Sequence, residues 1–148
     1  MFTTAHTAVS IMIQKAFPGI AGILLCLPVH YAMDNINEGS TYKSMNDRIV
    51  FEFSLNLANV GAILAIEDEK KRNDYLLSVI MGNIPDVPYQ LFKHQTHIFD
   101  HYKTPFDIKT DHTTMFLLHT LPTIYSLFIL NEEIENSKKP LVKGEKSP

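Results

Sequence analysis

A single cysteine, Cys26, stands among 148 residues, so no internal disulfide can staple the chain. It sits in an apolar run and reads as a small buried hydrophobe. Basic clusters are equally scarce. Apart from Lys70-Lys71-Arg72 the cations are dispersed, and 13 Lys and Arg against 16 Asp and Glu leave a net charge of −3. Nucleic acid demands a basic face to neutralise its phosphates, which excludes it as a partner. The six glycines are scattered and form no GxxxxGK run, so a phosphate-cradling loop is excluded too. No Ser/His/Asp or Cys/His pattern of a nucleophilic hydrolase is present. The first fourteen residues carry no basic n-region, and no small-residue cleavage site follows, so the mature chain is expected to keep its N-terminus.

What is there suits one helical domain. Hydrophobic residues make up 45% of the chain and charged ones 20%. A chain of this size buries about 68–70% of its unfolded surface without staples, so any metal is expected to serve function rather than folding. The apolar spacing predicts helices from Thr3 to Phe17, from Ile20 to Met33 with Pro28 inside, and from Asp47 to Ile66. Pro18-Gly19 separates the first two. Glu67 to Asp74 reads as a charged, solvated connection, Tyr75 to Ile84 as a further helix stopped at Pro85, and Leu91 to Tyr102 as a helix bearing His94, His97 and His101. Thr113 to Leu130 is the last apolar helix. The fold expected is all-α, a single compact bundle of about five to six helices over residues 1–130, with 131–148 a disordered tail.

Membrane embedding enters as an expectation from two charge-free stretches. Eighteen residues between Lys15 and Asp34, and 20 between Asp111 and Glu132, lack Asp, Glu, Lys and Arg. That meets the roughly 17–25 residues a spanning helix needs. Pro18, Pro28 and His30 interrupt the first and His112, His119 and Pro122 the second, so plain core helices of a cytoplasmic soluble protein are the alternative.

Seven histidines and a few acids carry the chemical signal. His30 and Asp34 are four apart, which on a helix puts imidazole and carboxylate on one face. His94, His97 and His101 recur at i, i+3 and i+7. Asp86 follows the stop at Gly82-Asn83-Ile84-Pro85, His6 lies in Thr4-Ala5-His6-Thr7, and His112 follows Asp111 before the last helix. Nearly all lie at helix ends, so a bundle can gather them. His and Asp converging at a bundle mouth make a mixed nitrogen and oxygen site for Zn²⁺ first, with Mn²⁺ or Fe²⁺ as alternatives.

In that order the motifs resemble the membrane-bound metal-dependent hydrolases, small multi-helix bacterial and archaeal proteins distantly similar to zinc-dependent phospholipases C. The resemblance covers about residues 1–130. It runs through TAHT with His6, GILLCLPVHYAMD with His30 and Asp34, Glu52 as the middle acid, MGNIPD with Asp86, and the later His94, His97, His101 and His112. The chain departs from the family where a Pro-His pair follows the His-x-x-x-Asp, having Asn35 to Glu38 there instead, and in lacking a tight late His-Arg or His-Ser cluster. The resemblance implies a metal-dependent hydrolase, membrane-associated, acting on a small-molecule or lipid phosphoester. Its metal ligands would be His30, Asp34 and Asp86 with His6, His97, His101 and His112, and Glu52 its general base. The alternative is a non-enzymatic helical membrane or partner-binding protein whose histidines are ordinary polar residues.

Overall fold

The computed structural model describes residues 3–33, 36–37, 45–85, 108–109 and 112–138. Five helices make up nearly all of it: α1 (Thr3–Ala16), α2 (Ile20–Met33), α3 (Met45–Leu64), α4 (Glu69–Asn83) and α5 (His112–Ser137). A two-residue strand β1 (Ile36–Asn37) pairs in parallel with β2 (Ile108–Lys109), Ile36 opposite Ile108 and Asn37 opposite Lys109. The all-α expectation holds at this level. The helix expected over Leu91 to Tyr102 lies outside the described residues.

α1 is the central helix, and the other four pack against it or against its neighbours. It ends at Phe17-Pro18-Gly19, where Gly19 takes φ +80°, a left-handed conformation that costs glycine nothing. Gln14 holds this turn. With its amide nitrogen turned to Ser78, its oxygen accepts from Gly19 N–H at 2.8 Å and its nitrogen donates to Gly19 O at 3.3 Å. α2 then runs back beside α1 and continues through Pro28 without restarting.

Residue pairs fix the directions of the helices. The N-terminal residue His6 of α1 meets His30 near the end of α2, and Thr7 meets Asn83 at the end of α4, so both helices run antiparallel to α1. Lys15, near the end of α1, meets Glu132 and Glu133 near the end of α5. The bundle therefore has two unlike ends. One gathers the start of α1 and the ends of α2 and α4; β1 and β2 tie the chain just after α2 to the chain just before α5. The other gathers most of the charges.

At that charged end the sequence expectation is corrected twice. Glu67 to Asp74 is not simply a solvated connection, because α4 begins at Glu69: Asp68 caps it, its side chain accepting from Lys71 N at 3.0 Å, and Glu69 sits favourably in the first turn. The boundary expected at 131 falls inside α5, which continues to Ser137. Glu133 is what extends it. Its side chain is only 7% exposed and takes Lys15 Nζ at 2.7 Å and Lys71 Nζ at 2.6 Å, tying α5 to α1 and α4. Beneath this cluster lies the apolar core of Ile11, Ile63, Ile66, Tyr75, Ile129 and Leu130.

No helix of the described residues is long and apolar enough to cross a membrane. The first charge-free stretch is broken by the turn at Pro18-Gly19, which leaves α2 only 14 residues, about 21 Å at 1.5 Å per residue. In the second, α5 mixes its apolar residues with Thr120, Pro122, Thr123 and Ser126.

Candidate functional site

The interface of α1, α2 and α4 is lined by small and polar residues rather than by large hydrophobes. α1 contributes His6, Ser10 and Gln14 at spacings of four, α2 contributes Gly22, Cys26 and His30 at the same spacing, and α4 contributes Ser78 and Gly82; all are buried. Equal spacing of four puts each set on one helix face, and small side chains let the backbones approach closely. A Cβ at Gly22 would run into the carbonyl of Phe17 and the amide of Gln14, and one at Gly82 into the hydroxyl of Ser10. Ser78 Oγ lies 2.7 Å from the Gln14 amide. Cys26 Sγ sits 3.2 Å from Gly22 O, and burial pushes its thiol up, so it stays a protonated packing group.

At the end opposite the charged cluster this seam finishes in a histidine pair. His6 and His30 are 4% and 1% exposed, and their ring centroids are 4.2 Å apart at an interplanar angle of 55°. The edge of Tyr31 closes on His30 at 5.6 Å. His30 Nδ1 is 2.7 Å from Gly82 O. A carbonyl only accepts, so Nδ1 carries a proton and donates, and this bond fixes the orientation of the ring.

Asn83 follows Gly82 at the same end of the bundle. Its amide nitrogen donates to Val79 O at 2.8 Å and to Thr7 Oγ1 at 3.2 Å, while its buried Oδ1 has no hydrogen-bond partner among the described residues. A buried acceptor without a donor invites a cation or a proton donor. Two imidazoles and a carboxamide oxygen are a donor set suited to Zn²⁺, Mn²⁺ or Fe²⁺. Among the described residues no group of three or more His, Cys, Asp and Glu converges, so these residues alone assemble no metal centre.

Of the residues singled out in the sequence, the structure thus brings His6 and His30 together. Glu52 lies in α3 and His112 is the first residue of α5; His119 lies further along α5. Asp34, Asp86, His94, His97 and His101 lie outside the described residues. Asp34 follows the last residue of α2 by one position, and Asp86 follows Pro85, so both are covalently next to the end where the histidine pair sits. Sequence reasoning missed Gly82 and Asn83. They stand in the same MGNIPD stretch as Asp86, and the signal was there: a glycine four residues after Ser78 on a helix that packs its small face inward.

No protein-family model, curated protein or solved structure matches this chain.

Proposed function

We propose that the protein is a metal-dependent hydrolase of phosphoesters, with the buried His6–His30 pair as the core of its metal centre. The observation that carries this is the 2.7 Å contact of His30 Nδ1 with Gly82 O, which fixes the orientation of the ring rather than leaving it a surface group. His6, His30 and the Asn83 oxygen would hold the cation, with Asp34 and Asp86 as the carboxylates adjoining them in the chain and His97, His101 and His112 as further ligands. Zinc is the first choice of ion. When bound, such an ion lowers the pKa of its water towards about 7 and stabilises negative charge on phosphoryl oxygen. The protein's part is to orient the imidazoles, exclude bulk water from the buried pair, and supply a general base, for which Glu52 is the candidate.

Membrane association, with a lipid phosphoester as substrate, is part of the same proposal and is supported by the outer faces. Ile20, Leu24, Val50, Phe53, Leu121 and Phe128 are each more than half exposed, and they point outward from three different helices. Large apolar side chains left on the outside in such numbers point to an interaction surface. The same faces favour the second reading, a helical protein that binds a membrane or partner without catalysis.

Elemental analysis of the purified protein beside a His30→Ala variant separates the two. The hydrolase reading expects about one or more Zn²⁺, Mn²⁺ or Fe²⁺ per chain, lost in the variant while its circular dichroism is unchanged. No metal in the parent protein after reconstitution with Zn²⁺ and Mn²⁺ would transfer the conclusion to the non-catalytic reading.

A further inference from the structure

A second polar seam, between α3 and α5, is used by nothing described so far. Asn59 is fully buried at 0% exposure, as is Ser126, and Ser126 Oγ lies 2.9 Å from Asn59 Oδ1 and 2.8 Å from Thr123 O. Asn56 precedes Asn59 by one turn on the same face of α3, and Thr120 precedes Thr123 by one turn on α5. Three buried atoms along this seam have no hydrogen-bond partner among the described residues: Asn59 Nδ2, Asn56 Oδ1 and Thr120 Oγ1.

Leaving such groups bare forfeits the hydrogen bonds they make to water in the unfolded chain. Their chemistry narrows what can satisfy them. Asn59 Nδ2 is a donor and repels a cation, Asn56 Oδ1 is an acceptor and repels an anion, and Thr120 Oγ1 serves either way. Water meets all three demands, accepting from the first and donating to the second, and buried waters typically sit among about two to four polar partners of this kind.

We propose that the α3–α5 seam is an internal water site, with water bound between Asn59 and Asn56 and reaching Thr120. Use of this water in hydrolysis rests on the function proposed above; its presence in the seam does not.

Water–protein Overhauser spectroscopy on the isotopically labelled full chain tests it. Cross-peaks from the water resonance to the side-chain amides of Asn59 and Asn56 are expected, with the sign of long-lived bound water, and Asn59→Leu should abolish the one at Asn56. Thr120→Val, a smaller change, should weaken that cross-peak while keeping the fold, so the site stays testable if Asn59→Leu unfolds. Absence of both cross-peaks in the folded parent protein overturns the proposal. Zinc content, read separately, decides the hydrolase: a metal-free protein with intact cross-peaks sinks that reading and leaves the water site standing.

Discussion

Gly82 does two things with one backbone position. Its carbonyl fixes the protonated nitrogen of His30, and its missing side chain lets the Ser10 hydroxyl in. Gly82→Ala should therefore destabilise the fold by about 1–3 kcal/mol, despite alanine's better helix propensity, because overpacking at a close helix contact outweighs that gain. Ser10→Ala in the same chain removes the oxygen that collides and should recover part of the loss, with Ser10 Cβ still 3.2 Å from the added methyl. Thermal denaturation of the single and double variants checks this; equal melting temperatures for the parent and Gly82→Ala would show that α4 does not approach α1 so closely. The residue scale is also where sequence reading was least complete. His6 and His30 were legible as chemistry-bearing residues, but what they face was not, because the partner of His30 is a carbonyl 52 positions away that no side-chain pattern announces.

Among the elements, α1 and α2 were readable to within a residue, since Pro18-Gly19 breaks an otherwise continuous apolar run and nothing tertiary is needed to place the turn. α4 and α5 were misjudged at their charged ends for a common reason. Charge carries no helical period, and the partners that make Glu133 a buried residue, Lys15 and Lys71, lie 118 and 62 positions away. Burial alone would raise the carboxyl of Glu133, but hydrogen bonds from the two lysines outweigh it and hold it below the ordinary glutamate value, while the bond to Glu133 holds the Lys15 ammonium above its own. Tyr75 beside them is pushed up by burial and by the Glu133 charge. A depressed carboxyl stabilises the fold above its unfolded pKa, and that contribution disappears as pH falls through the lower, folded value. Stability should thus decline from about pH 4.5 downwards. Glu133→Gln should cost about 2 kcal/mol at neutral pH, in line with cutting a charged hydrogen-bonded group out of a buried cluster, and should flatten that decline. Urea titrations at pH 7 and pH 4 read both effects; an acid limb as steep in the variant as in the parent would assign it to other carboxyls.

At the scale of the whole molecule, the described residues pair an apolar core with many buried polar groups and with large apolar side chains left on the surface. Thr4, His6, Thr7, Ser10, Gln14, Asn59 and Ser126 are inside, whereas Phe53 at 66% and Phe128 at 70% exposure are outside. Replacing both phenylalanines with serine should change folding stability by no more than about 0.5 kcal/mol per site, because neither is buried. It should nonetheless lower the fraction of protein that floats with phospholipid vesicles in a density gradient. Unchanged flotation would remove these faces from any lipid contact. The all-α class was visible from the 3.6-residue spacing, but the mixture of buried polar and exposed apolar faces was not, since a period shows only that a helix has two faces and not which one turns inward.

The two-residue pairing of β1 with β2 bears on how the histidine end is held together. Joining Ile36 to Ile108 closes a loop of about 70 residues, and the length-dependent part of that closure entropy alone is about 4 kcal/mol. Two residue pairs of ladder, at about 1 kcal/mol per hydrogen bond, do not meet it. The strands therefore stay together only because the bundle already brings the end of α2 and the start of α5 near each other, and any shift of those two ends parts them. The pairing is a latch closed by the bundle.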